Sequence, residues 1–222
     1  MTQLGATLSP RGYLIVNADD FGYSPSVNKG IVEAHTNGIV TSTSVMVDAI
    51  AADEARGLSR YPDLSVGLHF EVKNFDNVQV ELDRQVAKFV DLVGTQPNHI
   101  DTHKFYVSNE GFRDVLRVYA KKHHIPLREF SGAKFIDSFF GMHSGGDVSV
   151  NRLKKAIDQA TDKFSEIMCH VGYSDAYLRE HSSYNDMRQE ELRTICDPAI
   201  KQYVRDKDLK LCNWKLLKET AQ

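Results

Sequence analysis

Tyr13–Gly22 reads YLIVNADDFG. Its first four residues are apolar and rich in strand formers, so Tyr13–Val16 predicts a buried β-strand. The next four residues decide between two architectures. A doubly wound dinucleotide-binding sheet continues its first strand into GxGxxG, the glycine turn that lets a pyrophosphate reach a helix N-terminus. Here the strand runs instead into Asn17-Ala18-Asp19-Asp20. Without the glycine fingerprint, an open doubly wound sheet is the alternative and a barrel is the leading reading.

Outward from this stretch, short apolar runs alternate with amphipathic ones. Ser24-Pro25 supplies an N-cap and a proline at the first helical position, and Gly38 closes that helix. Ser42–Val47 and Leu64–Leu68 predict strands, with a helix over Ala49–Tyr61 between them and Asp48 as its cap. Val80, Leu82, Val86, Phe89, Val90 and Val93 recur at spacings of three and four, one face of a helix that Gly94 ends. His99–His103 predicts a short strand, Gly111–His123 a helix, and Pro126–Phe130 and Lys134–Phe139 two more strands. Val150–Phe164 predicts a helix and Glu166–Cys169 a strand. Helices come next over Gln189–Ile195 and Pro198–Arg205, then a last strand at Leu209–Asn213. Strand-then-helix repeated about seven times predicts an α/β fold: an irregular, TIM-like (β/α) barrel of about seven parallel strands with outer helices.

The chain has 222 residues, 41% of them hydrophobic and 26% charged, with a net charge of −3. That composition suits one domain over residues 1–222, with 1–11 as a disordered or tag-like leader. The weak net charge gives no case for nucleic acid, and no apolar run reaches the roughly 18 residues a membrane span needs. Cys169, Cys196 and Cys212 are widely spaced and form no CxxC pair, so a disulfide frame is not indicated and a reducing cytoplasm fits. A homo-oligomer stays open.

The polar residues gather at the C-terminal ends of the predicted strands. Asp19-Asp20 end the first, His69 the third, Arg128-Glu129 the fifth, and His170 comes directly after Glu166–Cys169, while the fourth is His99-Ile100-Asp101-Thr102-His103. In a parallel barrel these ends share one mouth, where active sites lie. Taken singly, two acids after a strand are more often a capping turn, and a lone histidine more often a surface or satisfied residue. His35, His123 and His124 belong to that ordinary class, because they lie on or at the end of helices. His143 and His181 fall in loops.

HIDTH is the most informative stretch. Strand side chains alternate, so His99, Asp101 and His103 share one face. Three ionisable groups facing inward are costly unless something pairs them, and a metal ion does so. His69, His103 and one aspartate of the first strand make a two-imidazole, one-carboxylate set with open positions, which is a catalytic rather than a structural site. Asp101, and His99 beside it, would support the ligands from behind. The other aspartate is then free to take a proton from metal-activated water, with Arg128 holding it ionised and His170 placed to protonate a leaving group. No GxSxG elbow and no convincing cysteine nucleophile points to covalent acyl transfer.

These residues lie in stretches that resemble the YdjC-like carbohydrate deacetylases: NADDFG at Asn17–Gly22, NKGIVEA at Asn28–Ala34 with GIVTSTSVM at Gly38–Met46, GLH at Gly67–His69, PNHIDTH at Pro97–His103, Leu127-Arg128, EIMCHVGY at Glu166–Tyr173 and SSYNDMRQEEL at Ser182–Leu192. The resemblance implies an irregular barrel distantly related to NodB-type deacetylases. It also implies hydrolysis of an N-acetyl group on an amino sugar or small oligosaccharide. By position it implies Asp20, His69 and His103 as metal ligands, Asp19 as general base with Arg128 as its partner, and His170 as general acid. The implied cofactor is one divalent ion, Mg2+ by family, although two imidazoles suit Zn2+ or another transition metal. Tyr106, Phe140, Tyr173 and Tyr184 are the candidate contacts for a small N-acetylated saccharide. Three departures bear on which sugar is taken: Lys104-Phe105-Tyr106 where the family carries further histidines, Val171 where it carries proline, and a short Val72–Val80 segment. The rival readings are a metal-dependent amidase or phosphoesterase on a non-sugar substrate, and a catalytically weak sugar-binding barrel.

Overall fold

A computed structural model of the chain describes residues 10–73, 75–103, 109–139, 141 and 145–220. Its strands are β1 (Gly12–Phe21), β2 (Ser42–Val45), β3 (Ser65–Phe70), β4 (Ile100–Thr102), β5 (Lys134–Ile136), β6 (Phe164–Cys169) and β7 (Leu209–Cys212). They form one sheet in the order β4-β3-β2-β1-β6-β5, with β7 also on β1. Every pairing is parallel. Around it lie α1 (Pro25–Thr36), α2 (Val78–Val93), α3 (Glu110–His123), α4 (Val150–Asp158), α5 (Ala176–His181), α6 (Asp186–Ile195), α7 (Pro198–Asp206) and α8 (Trp214–Thr220). The result is an open (β/α) barrel. No helix among the described residues is long and apolar enough to cross a membrane.

β1 is the axis, and alternation along it sorts the interior. Leu14, Val16 and Ala18 join the large core cluster, with Ile31 of α1, Leu82 of α2 and Leu153 of α4. Ile15 faces the other way, into a small cluster with Phe164, Cys212 and Trp214. Asn17 and Asp19 lie two and four residues further along that second face. The inside of the barrel therefore changes along its axis, from apolar where the strands begin to charged where they end. Trp214 of α8 is fully buried and stacks on His99 with ring centroids 4.9 Å apart. That ring sits so close to β3 that a Cβ at Gly67 would come within 2.3 Å of it, so only glycine fits there.

Most expected elements are present, and several are corrected. The segment after β2 is a 3-10 helix over Ala52–Arg60 whose N-cap, Ala51, makes no side-chain bond. Asp48 caps nothing there: its carboxylate pairs with Arg84 and Lys88 of α2. Pro126–Phe130 is no strand; Leu127 makes a single parallel bridge to Ile100, and Glu129 turns left-handed at φ 69°. β5 is shorter than Lys134–Phe139. The helix expected over Val150–Phe164 ends at Asp158, and Phe164 instead opens β6. Ser24 does cap α1, accepting from Val27 N–H, and Gly94 ends α2 at φ 82°.

Candidate active site

The strand ends meet at one mouth, beside a cavity of about 760 Å3 lined by His69, His103, Tyr23, Glu71, Arg84 and Tyr177, among others. The site begins with a break in β1. Its register on β2 shifts between Ala18 and Phe21, and Asp20 adopts a left-handed backbone at φ 71°. A regular strand would send Asp19 and Asp20 to opposite faces. The bulge brings both acids to the mouth.

Asp19 meets Arg128. The guanidinium takes both carboxylate oxygens, Nη1 to Oδ2 and Nη2 to Oδ1, each at 2.8 Å. Asn17 Nδ2 donates to Oδ1 as well, at 2.7 Å. Arg128 also pairs with Glu166 Oε1 at 2.8 Å and Asp101 Oδ2 at 3.0 Å, so three buried carboxylates share one cation. Burial pushes Glu166 up to about 7 against the pull of Arg128.

Asp20 meets the histidines. Its Oδ1 lies 3.1 Å from His69 Nε2 and 3.1 Å from His103 Nδ1. Its Oδ2 accepts from Arg188 Nη2 at 2.6 Å. Burial alone would raise its pKa, but Arg188 first, then His103 and His69, hold it well below the usual carboxylate range. On the far side of His69, Nδ1–H donates to Asp101 Oδ1 at 2.6 Å, which turns Nε2 toward Asp20. His69 is buried, yet Asp101, Asp20 and Asp19 outweigh desolvation and lift its pKa to about 10, so near neutral pH Nε2 carries a proton that a cation would have to displace.

Two groups here have the spacing of a metal site, Asp20-His69-His103 and Asp19-His69-Asp101, each with ligand atoms within 4.8 Å of one another. The second is already spent, because Arg128 holds Asp19 and the close atoms of His69 and Asp101 bond each other. The first fits a cation. Asp20 Oδ1 lies 3.1 Å from His69 Nε2 without the geometry of a hydrogen bond, so that buried nitrogen is unsatisfied. Two imidazoles and one carboxylate oxygen meet there, and His103 is one-fifth exposed toward the cavity.

His170 comes directly after β6, half-buried, with its ring edge-on to Tyr184 at 5.8 Å. Burial lowers its pKa to about 4. Its backbone N–H donates to Glu191 Oε2 at 2.6 Å, and Tyr184 O–H bonds the other oxygen of Glu191. Tyr173 turns away: its hydroxyl bonds Glu33 of α1, and it does not line the 760 Å3 cavity. Tyr106, Phe140, His143 and Lys104–Phe105 lie outside the described residues. His181 lines the cavity while its Nδ1 bonds the Tyr177 carbonyl. His35, His123 and His124 stand apart from the site: His35 bonds the Val40 carbonyl, His123 stacks on Tyr119, and His124 is the left-handed C-cap of α3.

Asn17, Glu166, Arg188 and Glu191 belong to the site, although sequence reasoning does not single them out. Glu166 carries a visible signal, an acid inside the otherwise uncharged FSEIMC strand. Arg188 and Glu191 also carry one: three residues apart on a helix, they share the face of Leu192 and Ile195.

The family of YdjC-like proteins matches residues 13–77 and 70–206. A carbohydrate deacetylase of Geobacillus stearothermophilus is 32% identical, over 91% of this chain and 97% of its own length. A chitooligosaccharide deacetylase of Serratia marcescens is 30% identical, over 87% of this chain and 94% of its own. Among solved structures, one described as a cellobiose-phosphate cleavage protein of Enterococcus faecalis superposes with a TM-score of 0.83 at 25% identity, covering 93% of this chain and 98% of its own. The chain is an α/β barrel protein with an acid–histidine mouth, and it belongs to the YdjC-like family.

Proposed function

We propose that this chain is a metal-dependent carbohydrate deacetylase, hydrolysing the N-acetyl group of an amino sugar or small oligosaccharide to acetate and a free amine. The observation that carries the reading is the meeting of Asp20 Oδ1, His69 Nε2 and His103 Nδ1 beside an open cavity, with a second acid, Asp19, next to them. The names of the relatives support the substrate class.

Asp20, His69 and His103 would hold one divalent cation. When bound, it acidifies a water molecule and polarises the acyl oxygen. Family resemblance favours Mg2+, and the two imidazoles favour Zn2+ or another transition metal. Asp19 accepts the proton of the attacking water. Its contacts suit a fixed base, because Arg128 and Asn17 leave its carboxylate no freedom to turn. His170 delivers a proton to the amine nitrogen as the C–N bond breaks. Because burial lowers its pKa to about 4, the ring is neutral near pH 7 and has to take up a proton before it can act as the acid. Asp101 fixes the His69 tautomer, and His99, wedged between Gly67 and Trp214, fills the space behind Asp101. Tyr184 stands edge-on to His170 with its hydroxyl bonded to Glu191, so its part is to hold the His170 side of the site rather than to line the cavity. Three free thiols suit a reducing cytoplasm.

Metal analysis of the purified protein, with acetate release from N-acetylated chitooligosaccharides, tests the reading. The expected result is one divalent ion per chain and acetate production that a chelator abolishes. Bound metal without acetate release moves the assignment to another amide or phosphate ester. Neither metal nor acetate leaves a sugar-binding barrel.

A further inference from the structure

Arg188 is an oddity that the proposed chemistry does not use. It comes from α6, 168 residues from Asp20 in sequence, and its side chain is 3% exposed. Everything around it holds the guanidinium still. Nε donates to the Tyr184 carbonyl at 3.0 Å, and the group lies 5.5 Å from the Tyr23 ring centroid and 5.7 Å from that of Tyr184. Its backbone carbonyl accepts from Gly172 N–H at 3.2 Å. Yet Nη1 is buried without a hydrogen-bond partner. A guanidinium kept only for the fold would be better satisfied, since an unmet buried donor is costly.

Its geometry differs from that of Arg128 in one respect. Arg128 covers both oxygens of Asp19, whereas Arg188 takes only Oδ2 of Asp20 and leaves Oδ1 to the two imidazoles. We infer that Arg188 is a positioning residue that keeps Asp20 a one-oxygen ligand, holding Oδ2 out of the coordination sphere and setting a positive charge against the cation. This rests on the metal reading above. The charge then has two effects of opposite sign. A fixed positive charge beside a dication weakens its binding. By occupying Oδ2, the same charge leaves a coordination position for water and substrate, which a catalytic site requires. Arg188 therefore trades metal affinity for an open site.

The test is a titration of metal-free protein with Co2+, followed by its visible absorption and by calorimetry, on wild type and on Arg188→Met, Arg188→Gln and Arg188→Lys. Circular dichroism selects folded variants, and two charge-removing variants are used because either one alone can fail to fold. Arg188→Met and Arg188→Gln are expected to bind Co2+ at least about tenfold more tightly, with an altered absorption band. Arg188→Lys, which keeps the charge, is expected to stay within about threefold of wild type. For the tighter-binding variants, kcat is expected to fall at least about tenfold with little change in KM. Unchanged or weaker Co2+ binding in folded Arg188→Met and Arg188→Gln would show a merely structural arginine and overturn the inference while the metal reading stands. A wild type that binds no divalent ion overturns both.

Discussion

Two arginine–aspartate pairs stand side by side at the end of β1. Arg128 and Asp19 form a closed pair: both oxygens are bonded, and Asp101 and Glu166 crowd onto the same guanidinium. Arg188 and Asp20 form a half-open pair: the arginine takes one oxygen, and the other meets two imidazoles at the cavity, with His103 Nδ1 hydrogen-bonded to it at 3.1 Å. Adjacent acids of identical chemistry thus meet different partners. A carboxylate gripped on both oxygens by one guanidinium suits a fixed proton acceptor, and one whose arginine leaves an oxygen to two imidazoles suits a ligand. The left-handed turn at Asp20 makes this division available, because it sends neighbours on a strand toward different partners around the same mouth.

Exchanging the two acids for amides strikes the comparison hardest. Asp19→Asn should keep the metal and lower turnover by about 10²–10⁴-fold, the usual contribution of a general base. Asp20→Asn should lose metal, because an amide is a poorer ligand. Metal content and acetate release measured on both variants decide the matter. If Asp19→Asn loses the ion and Asp20→Asn keeps it, the tasks are exchanged.

The closed pair makes a second prediction, on stability. Arg128→Met leaves Asp19, Asp101 and Glu166 buried beside one another without their cation. Breaking a buried pair by removing one partner typically costs about 3–5 kcal/mol, so the variant should unfold at a clearly lower temperature or denaturant midpoint. A midpoint within error of wild type would mean that the acids are neutralised by protons instead of by Arg128.

How much of the site is legible in the sequence depends on where the information sits. Asp19, Asp20, His69 and His103 are legible because each ends an apolar run, and parallel strands bring their ends together whatever the loops do. The order of tasks between Asp19 and Asp20 is not legible from spacing, since it depends on a bulge and a positive φ that no residue type announces. Arg188 and Glu191 sit in α6 among Asp186, Gln189 and Glu190, a segment polar enough to pass for a solvent face. Their burial comes from the end of β1 and from Tyr23 and Tyr184. Asp48 misleads for the matching reason: a capping residue in the right place finds stronger partners, Arg84 and Lys88, on a helix more than thirty residues away.

Two buried acids sharpen the comparison through pH. Burial raises Glu166 and Glu191 from an ordinary 4.5 to about 7, in Glu166 despite Arg128 and in Glu191 despite Tyr184 and the His170 N–H. Each binds its proton more tightly folded than unfolded, so its contribution is full below about pH 4.5 and is lost as pH rises through about 7. For each, the loss is on the order of 3 kcal/mol. Thermal midpoints of wild type and Glu191→Gln, taken between about pH 5 and pH 8, should diverge, with the variant losing less as pH rises. Parallel curves would mean that Glu191 is already ionised at the acid end.

The smallest effects belong to the histidines at the far end of α3. His103 sits directly after β4 and faces Asp20, while His123 and His124 close a surface helix, both exposed. His124 already sits in the left-handed region at φ 53°, where alanine, also carrying a Cβ, meets the same backbone cost as histidine. His124→Ala and His123→Ala should therefore change stability by no more than about 0.5 kcal/mol, the usual range for surface substitutions. Metal content and acetate release should be unaltered. His124→Gly should stabilise slightly, because glycine adopts the C-cap conformation without that cost. His103→Ala, run beside them, should lose the metal. Equal losses of metal from all three would mean that strand ends and helix ends do not sort the histidines of this chain, and the site drawn around Asp20 would have to be redrawn.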